Sequence, residues 1–318
     1  MDPIDKAYAL TNQHRVGDAI ATLESAGKSG NASCWMELAS WYLSGQLVDR
    51  DLSRARDCFR LAGETGNQRA RMIYISLLAN GTGGPSDWSV AVDELRRLAA
   101  TDRDAAEQVD LLDRMALGPS GEPLELPSPQ ALSESPEVIL VPSLLSADEC
   151  DYLVQSALPF LQPSVVVDPG TGQMRAHPVR TSDNAVFPWV DENPVIHAIN
   201  RRIAAASHTP VEAGEPLQIL RYRPSQEYRP HHDALPGSDN QRVLTMLVYL
   251  NDDYSGGETL FLSTGLKVKG SAGDALLFRN ANARGQPDPM AQHAGLPVTS
   301  GEKLIASRWI HERRFGPL

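Results

Sequence analysis

The chain has 318 residues, more than one average domain, with 42% hydrophobic and 22% charged side chains, so two globular domains with real cores are expected. A formal charge of −11 excludes a general nucleic-acid or anionic-membrane surface, because meeting phosphate takes an excess of Lys and Arg. Three scattered cysteines, Cys34, Cys58 and Cys150, exclude a disulfide framework and a CxxC zinc site.

In chain order, the opening MDPIDKAYAL lacks a basic stretch followed by an apolar one, so no signal peptide is expected. Nowhere does an apolar run reach the roughly 18 residues of a membrane span. A reducing cytoplasm is the expected compartment. The next hundred-odd residues repeat with a period of 36: Ala19, Ala55 and Ala91 share the offset, as do Leu23, Phe59 and Leu95. It also relates Gly30 to Gly66, Asn31 to Asn67, Gly45 to Gly81, Asp51 to Asp87 and Ser53 to Ser89. Small and apolar residues within each unit fall at helical spacing (Ala55, Phe59 and Ala62; Leu38, Trp41 and Tyr42), and glycines stand where helices should stop. Each unit is predicted to be a helix pair that buries its apolar face by stacking on its neighbour. The pattern resembles tetratricopeptide-like repeats of the Sel-one-like subclass over roughly residues 3–116, which implies a concave protein-binding face; the alternative is a short array that packs on the second domain as a stabiliser or dimer contact.

Residues 117–136, LGPSGEPLELPSPQALSESP, are rich in proline and aperiodic, and are predicted to form a semi-stiff linker. The division expected is therefore 1–116 helical repeats, 117–136 linker and 137–318 a second domain. That domain opens with a strand at Glu137–Val141 and a helix capped by Ser146 with Glu149 three residues on. β-rich runs follow at 217–222, 243–250, 259–262, 275–278 and 303–310. The fold class is α+β: a helical repeat array, then an antiparallel double-stranded β-helix (jelly roll) with flanking helices.

Within EYRPHHDALPG, residues i and i+2 of an extended strand point to one face, so His231 and Asp233 can bind one ion while His232 turns away. A distant third ligand would complete a two-His-one-carboxylate face that leaves room for a bidentate 2-oxo acid and dioxygen. His293, in AQHAGLPV, is the best candidate; His14, His177, His197 and His208 have weaker contexts. Ten residues after His293, Lys303 stands on a predicted strand, where a cation can pair with the far carboxylate of 2-oxoglutarate.

Taken together, LQILRYRPSQEYRPHHD, RVLTMLVYLND, GGETLF, GDALLF and QHAGLPVTSGEKLIASRWIHER resemble the catalytic core of the prolyl 4-hydroxylases. Weaker similarity runs back through IHAINRRI and RTSDNAVF to VILVPSLLSADEC, so the likeness spans about residues 137–318. The resemblance implies an iron(II)- and 2-oxoglutarate-dependent dioxygenase using O2, with L-ascorbate as reductant. It implies iron ligands at His231, Asp233 and His293, a 2-oxoglutarate carboxylate on Lys303, and assisting hydroxyls at Tyr222 and Thr259. It further implies peptide-side positions at Tyr228, Arg242, Trp309 and His311, and at Arg180, where RTS opens a substrate-covering loop. The chain departs from the pattern at Leu304, where tryptophan often follows the lysine, at Asp183 and Asn184, where glycine is common, and in its short ALPGSDNQ loop.

The implied substrate is a prolyl residue in a protein or peptide, recruited by the repeats. A free or carrier-bound amino acid is the alternative, and a non-catalytic repeat adaptor or sensor is a third reading, against which the intact ligand set and Lys303 speak.

Overall fold

Asn and Asp side chains at helix starts account for part of the repeat pattern. Asn31 and Asn67 accept the amides of Ser33 and Ala70 at 3.1 and 2.9 Å, and Asp51 and Asp87 accept those of Arg54 and Val90 at 2.9 and 3.0 Å. Each cap satisfies a donor that a helix start leaves unpaired. At the far ends Gly45 and Gly81 adopt left-handed φ of 70° and 77°, a conformation glycine enters without strain. The computed structural model describes residues 1–167, 174–176, 179–282 and 284–316. Its repeat helices run Pro3–Asn12, Val16–Lys28, Ala32–Ser44, Leu52–Glu64, Gln68–Asn80, Trp88–Ala99 and Arg103–Arg114. The positions repeating every 36 residues are the packed ones: Ala19, Ala55, Ala91, Leu23, Phe59 and Leu95 are all buried.

The chain divides into two compact units, residues 1–121 with 189–197, and residues 122–188 with 198–318. Trp189–His197 therefore belongs with the repeats. Asn80 Nδ2 donates to the Trp189 carbonyl at 2.8 Å, Arg69 pairs with Asp191 at 3.4 Å, and the Trp88 ring lies 6.2 Å from that of His197.

The strand Glu137–Val141 and the helix Ala147–Ala157 form as the sequence predicts. Ser146 and Glu149 form the reciprocal cap, Ser146 N donating to Glu149 Oε2 at 2.7 Å and Glu149 N to Ser146 Oγ at 3.3 Å. Gln130–Glu134, which composition assigns to the linker, is an edge strand paired with Glu137–Val141. The ladder partner supplies what local composition does not reveal.

The antiparallel large sheet carries, in spatial order, Gln130–Glu134, Glu137–Val141, Ala275–Arg279, Arg242–Tyr249, Lys303–His311, Gln218–Tyr222, Asp183–Val186 and Gln162–Pro163. The small sheet orders Lys267–Val268, Thr259–Phe261, His293–Gly295 and Tyr228–His231. Phe261 and Val268 of the small sheet share one core with Tyr249, Leu276 and Phe278 of the large one. The Phe261 and Phe278 rings meet edge-on at 5.3 Å. Two sheets closing on a common core make the double-stranded β-helix. Among the described residues, no helix is long and apolar enough to cross a membrane.

Candidate metal centre

Pairing in the small sheet sets His293 opposite His231, so two imidazoles distant in sequence meet with ring centres 4.3 Å apart. The strand ends at His231, and Asp233 follows across His232, which is exposed. One ligand atom from each of His231, Asp233 and His293 lies within 4.8 Å of the others. His231 Nε2 is 3.5 Å from Asp233 Oδ1, and His293 Nε2 is 3.7 Å from Oδ2.

Both rings are held by their other nitrogen, His231 Nδ1 to the Arg229 carbonyl at 2.8 Å and His293 Nδ1 to the Ala291 carbonyl at 3.0 Å. A carbonyl only accepts, so Nδ1 carries the proton and the Nε2 lone pair is directed at Asp233. Burial by itself would raise the Asp233 carboxyl, but His293, His231 and a hydrogen bond from Thr245 hold it well below the usual carboxylate range. Burial pushes the His293 imidazole down to about 4 against the opposing pull of Asp233. At neutral pH the group is thus a carboxylate with a neutral, ligand-competent imidazole. Two imidazole nitrogens and one carboxylate suit an open-faced iron(II) site. Packing fixes the walls: Tyr228 stacks on His231 at 3.4 Å, and the edge of Phe278 meets His293 at 4.6 Å.

The same pocket is lined by Tyr222, Thr259 and Lys303. Alternation along Lys303–His311 sends Lys303, Ile305, Ser307 and Trp309 into it. The Lys303 ammonium is 3% exposed and donates to the Gly257 carbonyl at 2.7 Å, with the Tyr222 and Tyr249 ring centres each 5.7 Å away. Burial lowers its pKa to about 8, partly offset by Glu258. Arg308 projects to the opposite face, where its guanidinium donates to the carbonyls of Asn200, Val211 and Glu215 at 2.9, 2.8 and 3.1 Å.

Of the remaining residues singled out in the sequence, Tyr228 and Trp309 line the pocket, and Trp309 Nε1 is buried without a hydrogen-bond partner among the described residues. Arg242 and His311 are not among the lining residues; they converge on Glu215. Arg242 grips that carboxylate at 2.5 and 3.1 Å, lies 3.9 Å over the Trp309 ring, and shares Glu215 Oε1 with His311 Nε2 at 2.8 Å. Burial would raise Glu215, yet His311 and Arg242 hold it below the ordinary range. The Arg180 guanidinium sits 5.6 Å from the Tyr228 ring centre, and the two residues form a backbone bridge. Asp183, where the resemblance leads one to expect glycine nearby, is a buried acid paired with Arg221 and Arg223 at 2.7 and 3.0 Å. His197 bonds Glu192 at 2.8 Å, and His177 lies outside the described residues.

Sequence reasoning missed Glu215, Thr245 and Asn280, and held Gly257 only as a glycine of GGETLF. Thr245 left a faint signal, as the one aliphatic hydroxyl in the apolar strand RVLTMLVY. The others are marked only by what the fold places beside them.

Residues 217–311 match the model of the 2OG-Fe(II) oxygenase superfamily. Over 204 residues, 58% of this chain and 72% of the relative, the sequence is 42% identical to Prolyl 4-hydroxylase 1 of Arabidopsis thaliana. Among solved structures, the 2OG complex of a viral collagen prolyl hydroxylase from Paramecium Bursaria Chlorella virus-1 is 30% identical, with a TM-score of 0.44 over 55% of this chain and 95% of that one. A Sel1 repeat protein from Oxalobacter formigenes is 21% identical, with a TM-score of 0.29 over 35% of this chain and 49% of that one.

Proposed function

This chain belongs to the prolyl 4-hydroxylase family within the 2OG-Fe(II) oxygenase superfamily, and from that membership we propose that it hydroxylates a prolyl residue of a protein or peptide. It is a 2-oxoglutarate-dependent dioxygenase of a family that works with Fe2+, 2-oxoglutarate and O2. The observation that carries the reading is the His231–Asp233–His293 group in one pocket with Lys303.

His231 and His293 would hold the iron through Nε2, each ring fixed by its Nδ1–H bond to a carbonyl, and Asp233 would complete the set. Bound iron(II) supplies the chemistry the side chains lack, coupling oxidative decarboxylation of 2-oxoglutarate to hydroxylation of a C–H bond. Lys303 would pair with the far carboxylate of the co-substrate, in a setting where burial strengthens the charge-assisted contact. The Tyr222 and Thr259 hydroxyls would flank that carboxylate. Tyr228 and Trp309 would wall the substrate side, with Arg180, Arg242 and His311 ordering that wall. Ascorbate as reductant is part of the same reading.

The repeats would recruit the protein substrate. A cytoplasmic location is supported by three free, buried cysteines, which suit a reducing compartment. The test is succinate release from 2-oxoglutarate by the anaerobically iron-loaded protein, across proline-containing peptides and free amino acids. Stimulation by peptides alone supports the reading. Stimulation by a free amino acid alone replaces it with a small-substrate hydroxylase.

A further inference from the structure

Asp233 stands just beyond the end of its strand, where no ladder holds it, yet the facial arrangement depends on the angle of its carboxylate. Its Oδ2 accepts a 2.7 Å hydrogen bond from Thr245 Oγ1, and Thr245 Oγ1 accepts a 2.7 Å bond from Asn280 Nδ2. All three side chains are buried. The polarity of this chain follows from chemistry. An ionised carboxylate can only accept, so Thr245 donates its single proton to it. The threonine oxygen can then only accept from its other neighbour, which requires the NH2 end of Asn280. Its other end, Asn280 Oδ1, is buried with no hydrogen-bond partner among the described residues, a desolvated acceptor without return. The backbone pins Asn280 on both sides, its N–H donating to the Val243 carbonyl and its carbonyl accepting from Asp288 N, both at 2.8 Å.

We propose that Asn280 is a positioning residue for the metal centre, acting through Thr245 to engage Asp233 Oδ2 and leave Oδ1, 3.5 Å from His231 Nε2, as the single oxygen presented to the ion. The proposal rests on the reading that His231, Asp233 and His293 bind metal. A carboxylate released from this relay can turn and offer both oxygens, taking a coordination position that the co-substrate needs. Partners behind a ligand that fix its orientation commonly change metal affinity by about 10- to 100-fold when removed.

The test uses the full chain with Co2+ alone as probe, read by affinity and by the visible absorption that reports coordination number. Asn280→Leu and Thr245→Val should each weaken Co2+ binding about 10-fold and alter the spectrum. Because Asn280 acts through Thr245, the double variant should bind no more weakly than Thr245→Val alone. Native affinity and spectrum in Asn280→Leu, or two losses that simply multiply, would overturn the proposal. Should Asn280→Leu fail to fold, Asn280→Ser, whose shorter hydroxyl falls short of Thr245, replaces it with the same two outcomes. Asp233→Ala is measured alongside. If it keeps native Co2+ binding, the metal-site reading itself fails; if it loses binding while Asn280→Leu does not, only the positioning role fails.

Discussion

The Lys303 ammonium donates to the carbonyl of Gly257 at 2.7 Å, and that carbonyl is presented by a backbone turned to φ 71°. A β-carbon at Gly257 would stand 3.1 Å from Val298 Cγ2, 3.2 Å from Lys303 Cδ and 3.3 Å from Tyr254 Cε2. Gly257→Ala should therefore cost about 1–2 kcal/mol for left-handed backbone in an alanine and also displace the lysine stem. Urea unfolding and a 2-oxoglutarate titration check the two effects together. A variant with native stability and a native titration would show that the turn does not hold Lys303.

Lys303→Ala should leave iron binding intact while weakening 2-oxoglutarate, since it removes one charge-assisted contact worth roughly 2–3 kcal/mol, on the order of 30- to 150-fold in affinity. Arg308 cannot substitute, because its guanidinium is spent on three backbone carbonyls on the other face of the strand. An anaerobic 2-oxoglutarate titration of the iron-loaded variant measures the loss; an unchanged midpoint would remove Lys303 from the site.

Burial also gives that contact a pH dependence. The Lys303 pKa is lowered to about 8, so the ammonium is charged below pH 8 and increasingly neutral above it. A dicarboxylate prefers the charged form, so affinity should be flat below pH 8 and then fall as pH rises, towards tenfold per unit. In Lys303→Ala the profile should lose this limb. A wild-type profile that stays flat from pH 7 to pH 9 would show that burial does not lower the Lys303 pKa into this range.

For the metal, His231→Ala, Asp233→Ala and His293→Ala should each abolish turnover and weaken iron binding. His232→Ala should leave iron binding nearly intact, because the side chain between the two ligands is exposed. Iron affinity measured anaerobically for the four variants decides this. Equal losses in His232→Ala and His231→Ala would place His232 among the ligands.

The long strands were legible because they are apolar runs bounded by turns: Arg242–Tyr249 and Lys303–His311 lie within a residue of their predicted bounds. His293–Gly295 was not legible as a strand, and the strand read through His231 to Asp233 ends at His231, since three or four mixed residues carry no period of their own. Only their pairing, with His293 opposite His231, makes them a sheet. The link between Thr245 and Asn280 was not legible for a related reason, because the hydrogen bond joining them spans 35 residues of sequence and exists only once two strands lie side by side. Arg242 and His311 carried a signal through family resemblance, but Glu215, which binds both, had none.

The helical unit includes Trp189–His197, and this shapes what shortening the chain should do. A chain starting near Ser128, ahead of the edge strand Gln130–Glu134, keeps every candidate metal and co-substrate residue. It loses the Asn80 amide bonded to the Trp189 carbonyl and the Arg69 partner of Asp191. Succinate release with a short prolyl peptide should therefore persist, while the melting temperature falls as Trp189–His197 loses its packing. In the full chain, Asn80→Ala removes both the bond to the Trp189 carbonyl and the one its Oδ1 accepts from Thr82 N, and should lower stability by about 1–3 kcal/mol without changing short-peptide activity. If the repeats recruit a protein substrate, turnover of that protein should fall in the shortened chain much further than turnover of the peptide, because a tethered docking site raises effective concentration. Equal effects on peptide and protein would reduce the repeats to a stabilising role. Loss of all 2-oxoglutarate turnover in a shortened chain that still folds and binds iron would contradict both roles and give the repeats a direct part in the active site.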